Sequence, residues 1–447
     1  MNDSALVIAA YLIAVLAIGA FGRRIKGLED FHLAGRSIKL VYLTGTFCAS
    51  IIGASSTLGM AGIGFSSGLP GAWWMLSGTA GLLVLAVLFA GRVRKTGCYT
   101  LPELVGTFYG QRARCAAAVL IVISWIGVVA VQIQASGKVL GAVLGGDQTL
   151  FMAACAAVFV LYTMHGGQSS VIKTDLVQLL IILAGMIVLF TSAWEAAGPE
   201  LLSGQSFPTS PQMGGWDVLT MLVVVGSAYL VGPDMHSRML SAHSPGEARA
   251  SAAISALILI PLAFIITSLG IFAHSLYPAA SPEEAIPLLM TGLLSPFLQG
   301  LVAAAMLAAF MSSADTSLMT AASIFTLDIF RKAFSNSGEH RLMAVSRISV
   351  AIIGLSALAL AVSMPGIIKT LMMAYTVFTS GLLLPVIAGF YKERLGLTSS
   401  GALAALAGGG ITAILFGQSH PLLGMAVSAS LLFGISWLER MFRRQGA

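Results

Sequence analysis

The sequence is a succession of apolar stretches long enough to cross a lipid bilayer, separated by short polar segments. A spanning helix needs about 20 mostly apolar residues, because the hydrocarbon core is about 30 Å thick. The stretches that meet this requirement are 4–23, 42–64, 71–92, 115–143, 149–165, 171–195, 216–234, 248–275, 293–327, 345–364, 367–390, 400–417 and 420–439. The chain is therefore predicted to be an all-α polytopic membrane protein with about 13 transmembrane helices.

The composition excludes the soluble classes. Charged residues make up 9% of the chain and hydrophobic residues 57%, whereas a soluble domain carries about 25% charged residues. Soluble enzymes, nucleic-acid binders and disordered proteins are therefore ruled out. The cysteines have no metal-ligand spacing, and no GxSxG, HExxH or P-loop motif occurs. We expect neither an enzyme nor an organic cofactor, and no transition metal.

Basic residues predict the topology. All but Lys138 and Lys369 of the 24 lysines and arginines, Arg238 included, fall in segments that are cytoplasmic if the N-terminus lies outside. Asp3 precedes the first span and Arg23 follows it, which indicates a retained span rather than a cleaved signal. We expect a multi-pass protein of the inner or plasma membrane with a cytoplasmic C-terminus. Its partner is the lipid bilayer, with no nucleic acid and no obligate protein partner.

Two spans are interrupted by glycine or proline. A break in the second span near Gly53–Ser56 would free backbone carbonyls for a small cation and a half-helix N-terminus for an anionic group. Close helix packing through small residues is the alternative. The seventh span contains Gly226, Gly232 and Pro233. Two such spans in corresponding halves are typical of secondary transporters with inverted repeats, although Pro233 and the Asp234 that follows it could simply end the helix.

Hydroxyl groups line one face of the ninth span. Ala309, Ser312, Ser313 and Thr316 have helical spacing, and Asp315 lies at the edge of their face. Oxygen ligands of this kind suit Na⁺ rather than zinc or copper, unless the hydroxyls only bond back to their own helix. An acid at membrane depth, such as Asp315, is a candidate functional residue.

Other polar residues in the spans are weaker candidates. Asp175 opens the sixth span, where it could bind a cation or only interact with the helix dipole. Gln132 and Gln134 in the fourth span lie two residues apart, so at most one faces a solute. His165 and His236 lack ligand partners at suitable spacing and are expected to be structural.

Five stretches in order resemble the sodium/solute symporter family, which includes bacterial proline, pantothenate, sialic acid and sugar symporters. They are EDFHLAGRSIKL, GLPGAWW, YTLPELVGTFYG, YTMHGGQSSVIKTDLVQ and SSADTSLMTAASIFTLDIF. The resemblance runs from about residue 4 to residue 440, and Gln168 departs from an apolar family position. It implies a leucine-transporter-like core of two five-helix inverted repeats. The expected units are 1–40 (extra span and loop), 41–195 and 216–392 (the repeats) and 393–447 (two extra spans and tail).

The resemblance also implies where ions bind. The common sodium site would use the carbonyls of Ala49, Ile52 and Ala309 with the hydroxyls of Ser312 and Ser313. A second cation site would match Asp175, Ser312, Asp315 and Thr316. Several relatives have serine at position 315, so the acid here could strengthen a second cation site or carry a proton. One or two sodium ions are expected.

The solute positions match the sugar symporters poorly. Ser55 and Ser56 stand where sugar-transporting relatives have acid and amide side chains, and Met75 stands near a family acid. The resemblance implies a small, moderately apolar pocket suited to an amino acid or small carboxylate rather than a polyol. Its expected lining is Ser55, Ser56, Trp74, Met75, Gln132, Tyr229, Tyr375 and Thr379.

We therefore expect sodium-coupled import of a small organic solute by alternating access. One alternative is proton coupling through Asp175 or Asp315. Another is a membrane sensor that binds its solute without transporting it. Sensors of that type usually carry a soluble signalling domain, and this chain ends soon after Arg444.

Overall fold

A computed structural model describes residues 3–20, 27–364 and 366–445, and these residues form helices without any strand. Arg23, Arg24 and Lys26, which entered the predicted topology, lie outside the described residues. The α-helices are α1 Asp3–Ala20, α2 Leu28–Leu33, α3 Leu40–Ile51, α4 Met60–Ser67, α5 Trp73–Val84, α6 Ala90–Lys95, α7 Leu101–Tyr109, α8 Gln111–Leu144, α9 Gln148–Ala197, α10 Glu200–Ser203, α11 Gly215–Val231, α12 Pro233–Ser241, α13 Pro245–Leu276, α14 Ala285–Leu293, α15 Pro296–Ile324, α16 Arg331–Ala333, α17 Glu339–Ser363, α18 Ile367–Gly389, α19 Lys392–Leu395, α20 Ser399–Phe416 and α21 Leu423–Gln445. Single π-helical turns lie at Ser55–Gly59, Leu85–Phe89 and Phe325–Phe330.

The chain is a multi-pass helical membrane protein. By length and hydropathy, 9 helices of the described residues can cross a bilayer, or 10 if the bent pair of α3 and Ser55–Ser67 forms one span. The predicted number of 13 is not confirmed by this criterion and stays a prediction. Helix α9 contains 50 residues, or about 75 Å of helix, which exceeds one crossing. It is interrupted at Gly167, whose φ of 60° belongs to the left-handed region.

The outer surface of the helices carries large apolar side chains. Ile13, Val87, Leu150 and Leu257 are each exposed over more than half of their area. So many exposed large apolar side chains are unusual on a water-soluble monomer and are expected where a protein faces lipid.

Helix ends are set by local chemistry. The hydroxyls of Thr100, Ser244 and Thr398 accept hydrogen bonds from the third following amide, which satisfies a free N–H in the first turns of α7, α13 and α20. Helix α8 lies between Gly110 and Gly145, both with positive φ.

Helix α15 forms the centre of the bundle. It packs against α9, α8, α1 and α17, and its residues from Val302 to Ile324 are buried. Around it, small residues let neighbouring backbones approach closely. A Cβ atom on Gly270 of α13 would lie 1.9 Å from the Ala61 carbonyl oxygen of α4. A Cβ atom on Gly81 of α5 would lie 2.0 Å from the Gly226 carbonyl oxygen of α11. The helices that flank the site are therefore fixed by glycine contacts.

We expect Gly270→Ala to destabilise the protein by about 1–3 kcal/mol, because the added methyl group overlaps backbone that cannot move alone. The matched control is Gly434→Ala in α21, where a Cβ atom meets nothing within 4 Å. Thermal unfolding of the two purified variants in detergent measures the difference. Equal unfolding temperatures would contradict the close packing of α4 and α13.

Candidate functional site

The second predicted span is broken where its glycine pattern indicates. Helix α3 ends at Ile51, Ile52 takes φ −81° and ψ 78°, and the following helical segment turns away by 61°. The amide of Gly53 donates to the Ile51 carbonyl oxygen (3.0 Å) and lies 3.1 Å from the Ser56 hydroxyl. A Cβ atom at position 53 would lie 2.6 Å from Ser313 Oγ. Glycine is therefore needed here for the close approach of α15.

Side chains complete the hydrogen bonding at the break. The Ala54 amide donates to Gln132 Oε1 of α8 (2.8 Å), and the Ser56 hydroxyl donates to the Ile51 carbonyl oxygen. Polar backbone in an apolar interior must find such partners. Ser56, predicted to line the solute pocket, instead holds the break together.

The hydroxyl-bearing face of α15 meets the end of α3. Ser312 Oγ lies 2.7 Å from the Ala49 carbonyl oxygen and 3.1 Å from the Ala309 carbonyl oxygen. Ser313 Oγ donates to the Ser50 carbonyl oxygen (2.8 Å). The structure thus brings Ala49, Ala309 and Ser312 into one oxygen cluster. Ser313 lies beside it, with its hydroxyl on Ser50 rather than on Ile52.

This cluster has the chemistry of an alkali-metal site. Its members are carbonyl and hydroxyl oxygens from an interrupted helix and its partner, which is the donor set that coordinates Na⁺ in transporters. The Ser312 hydroxyl has one proton and two carbonyls within reach. If it donates to Ala309 within its own helix, its lone pairs and the Ala49 carbonyl are available for a cation.

The four residues of the second expected cation site have different hydrogen-bond and ion-pair partners. Asp175 and Thr316 both lie near Nη2 of the Arg238 guanidinium, which is fully buried. Asp315 Oδ1 accepts a hydrogen bond from Thr163 of α9 (2.9 Å). Ser312 belongs to the first cluster. Arg238, which the charge pattern assigned to a cytoplasmic segment, is an interior residue.

A small cavity lies beside the break, between α3, α8, α11, α12, α15 and α18. Its free volume is about 30 Å³, room for two or three water molecules. Four of the predicted solute residues line it: Ser55, Gln132, Tyr229 and Tyr375. Trp74, Met75 and Thr379 are buried elsewhere, and the Thr379 hydroxyl donates to the Tyr375 carbonyl oxygen (2.6 Å).

The wall of the cavity also includes residues that were not predicted from the sequence to line it. Asp234, Trp125 and Ser317 are part of its lining. Asp234 is the first acid after the Gly232–Pro233 break, and its Oδ1 accepts the Met235 amide (2.9 Å). The glycine and proline that interrupt the seventh span could have indicated Asp234 as a cavity residue, because residues next to a helix break face the same interior as the break.

The remaining polar residues have structural partners. Gln134 Nε2 donates to the Ala361 carbonyl oxygen (3.1 Å), whereas Gln132 reaches the cavity, so only one of the two glutamines faces it. The Nδ1 atoms of His165 and His236 pair with carbonyl oxygens one helical turn earlier in their own helices, at 2.8 and 2.9 Å.

One carboxylate, which follows the C-terminal end of α13, joins two other helices. Glu283 Oε2 forms an ion pair with Lys138 of α8, and Glu283 Oε1 accepts the Ile367 amide at the start of α18 (2.8 Å). Lys138 and Glu283 are partly exposed. These two contacts form what we call the Glu283 clasp. It lies next to Gly59 and Gly62, which follow the break of the second span.

A profile of the sodium:solute symporter family matches residues 31–409. The chain belongs to this family. The resemblance drawn from the five sequence stretches is thereby confirmed, and so is the expectation of a transporter rather than an enzyme.

Three of the similar relatives are named as sugar or polyol cotransporters. A sodium/glucose cotransporter of Vibrio parahaemolyticus is 29% identical over 89% of this chain and 82% of its own length. Sodium/glucose cotransporter 4 of Danio rerio is 27% identical over 77% of this chain, and a sodium/myo-inositol cotransporter of Bos taurus is 26% identical over 77%. The matches span 60% and 56% of those two animal proteins.

Solved structures give the fold. A Na⁺-coupled sialic acid symporter in a substrate-bound outward-open state superposes with a TM-score of 0.82 at 17% identity, over 98% of both chains. A nucleobase-cation-symport-1 family transporter in a closed conformation superposes with a TM-score of 0.53 at 13% identity, over 93% of this chain and 94% of its own. The protein therefore has the leucine-transporter-like fold predicted from the resemblance.

We expect Ser312→Ala to raise the sodium concentration for half-maximal binding by roughly tenfold or more, equivalent to about 1.4 kcal/mol. The variant removes the hydroxyl shared by the Ala49 and Ala309 carbonyls. The control is Ser349→Ala in α17, whose hydroxyl only donates to the Val345 carbonyl oxygen of its own helix (2.8 Å). Binding of radioactive sodium to the purified protein measures both, and an unchanged affinity in Ser312→Ala would refute the site.

Proposed function

We propose that the protein is a sodium-coupled symporter that imports a small amino acid by alternating access. The observation that carries the proposal is the Ser312 hydroxyl, which lies between the Ala49 carbonyl of the broken helix and the Ala309 carbonyl of α15. The family supports sodium as the coupling ion. A cation at this cluster would tie α3 to α15 and thereby stabilise one state of the transport cycle over the other.

The cavity supports an amino acid as the solute. The Asp234 carboxylate on the cavity wall suits an ammonium group. Ser55, which also lines the cavity, opens the half-helix that follows the break, and the positive end of a helix suits a carboxylate. An amino acid carries both groups, and it is favoured over a carboxylate that lacks an amine. Tyr229 and Tyr375 add apolar surface, and the small free volume favours a small side chain.

The transport cycle would use the predicted architecture. Residues 41–195 and 216–392 would form the two inverted repeats, flanked by 1–40 and 393–447. The distribution of basic residues supports a plasma-membrane protein with its N-terminus outside and its C-terminus in the cytoplasm. The solute and sodium are the partners that the family implies.

Purified protein in liposomes should accumulate a radiolabelled amino acid when sodium is supplied outside. Replacement of sodium by potassium on both sides should abolish the accumulation, because potassium is larger than the ion this cluster suits. A panel of neutral amino acids, small carboxylates and glucose identifies the solute class, and empty liposomes provide the background.

The variant Asp234→Asn refines this experiment. It should raise the KM for an amino acid by roughly tenfold or more. The affinity for sodium, measured in the absence of the amino acid, should be unchanged. The control is Asp217→Asn at the exposed start of α11, whose carboxylate accepts the Gly214 amide (2.9 Å) within its own helix end. Sodium-driven uptake of glucose but of no amino acid would refute the solute assignment. Binding without uptake would identify a sensor.

Asp315 favours a second candidate function, a proton-coupled symporter. Its carboxyl group is buried in α15, and its Oδ1 accepts a hydrogen bond from the neutral Thr163 hydroxyl. A buried carboxylate without a cation is costly, so a proton or an ion would neutralise it. This alternative predicts uptake driven by a pH gradient without sodium, and its loss in Asp315→Asn but not in Asp217→Asn. Equal uptake by both variants would exclude it.

A further inference from the structure

We infer that a cavity at one rim of the helix bundle binds the phosphate-bearing headgroup of an anionic phospholipid. This rim cavity lies between the end of α7, the end of α18 and the short helix α19. Its free volume is about 360 Å³, which falls within the usual range of about 300–1,000 Å³ for ligand pockets. Lys392 and Arg394 are the cations of its lining, and it shares no lining residue with the solute cavity.

The rim cavity lies at the depth of lipid headgroups. Helix α18, which can cross a bilayer, ends at Gly389, and α20, the next helix that can cross, begins at Ser399. Residues 390–398 therefore lie at the membrane surface, where Tyr391 and Leu395 are exposed. An exposed tyrosine beside basic residues is typical of the membrane interface. The distribution of basic residues predicts that this rim faces the cytoplasm, where the leaflet carries anionic lipids.

The two cations of the rim cavity lack an acidic partner. In the described part of the chain, neither Lys392 nor Arg394 forms an ion pair with a carboxylate. The Lys392 ammonium lies 6.0 Å from the centroid of the Tyr109 ring, and Arg394 is exposed. Glu393 is the acid of the lining, so the lining keeps a net positive charge. Basic pockets of this kind between transmembrane helices attract anionic headgroups.

A third basic side chain adds to the positive charge of the same rim. The Arg92 guanidinium donates to the Tyr391 hydroxyl (3.0 Å) and lies 5.6 Å from the centroid of the Tyr391 ring. It therefore lies beside the cavity without belonging to its lining. A phosphodiester suits these donors, because a guanidinium binds phosphate through two parallel N–H groups and an ammonium binds it as a point charge.

The rim cavity is formed by backbone that is already held in place. A Cβ atom on Gly389 would lie 2.2 Å from Phe108 Cδ2, so the end of α18 packs closely against the end of α7. Helix α19 is closed by Gly396 in the left-handed conformation (φ 61°), and the Leu397 amide donates to the Lys392 carbonyl oxygen (3.0 Å). A headgroup would therefore bind without having to order this segment, which lowers the entropic cost of binding.

Native mass spectrometry of the purified full-length protein, with equal amounts of phosphatidylglycerol and phosphatidylcholine as probes, counts the lipids that each variant retains. The unmodified protein should retain phosphatidylglycerol in preference to phosphatidylcholine. Lys392→Gln/Arg394→Gln should lower this preference roughly tenfold or more, because it removes both cations of the lining. The matched control is Arg331→Gln/Lys332→Gln in α16, which removes two exposed positive charges from another segment predicted to be cytoplasmic and should keep the preference.

The single variant Arg394→Glu changes the net charge by the same amount at an exposed position, and it tests the inference if the double variant fails to fold. An equal loss of preference in the control would show that the whole basic surface attracts the lipid, and it would overturn the inference. An unmodified protein that retains both lipids equally would also overturn it. Inorganic phosphate at the concentration of the lipid should not displace phosphatidylglycerol. Displacement would identify a free anion as the ligand and refute the lipid assignment.

Discussion

The structure depends on a helix that stops in the middle of an apolar interior. Backbone N–H and C=O groups at such a break cannot turn to water, so each must be satisfied from within the protein. Here most of the partners are side chains: Gln132 for the Ala54 amide, Ser56 for the Gly53 amide and Ser312 for the Ala49 carbonyl. A side-chain partner can rotate away from the backbone group that it bonds. A hydrogen bond within a helix cannot be broken in this way, because its two groups are held by the backbone of the same helix. The break is therefore able to exchange internal partners for a ligand.

The parts of this arrangement that depend on local pattern could be predicted from the sequence. Glycines at the break and hydroxyls at helical spacing in the ninth span indicated which two segments meet, and the structure places Ala49 against Ser312. The fold could be predicted because five motif stretches occur in order. These features can be recognised in the sequence because glycines and short hydroxyl side chains act close to their own backbone.

The positions of longer side chains could not be predicted in the same way. Arg238 and Asp234 follow a proline at the end of a span, where a charged residue usually faces the aqueous phase. Only the packing of α12 against α3 and α15 turns the arginine inward. Likewise, Trp74 and Met75 are buried away from the cavity, because the rotation of α5 depends on its contacts with α11. Sequence spacing defines a face of a helix but not its orientation in the bundle.

The Glu283 clasp has a consequence for how this end of the protein opens. Both oxygens of one carboxylate are committed, one to the Lys138 ammonium and the other to the Ile367 amide. Neither α8 nor the start of α18 can move away from Glu283 without losing one of these two contacts, so separation of the two helices requires at least one of them to break. Since the ammonium and the carboxylate are partly exposed, dissolved salt weakens their attraction. The frequency of opening at this end would then depend on the ionic strength of the solution that it faces.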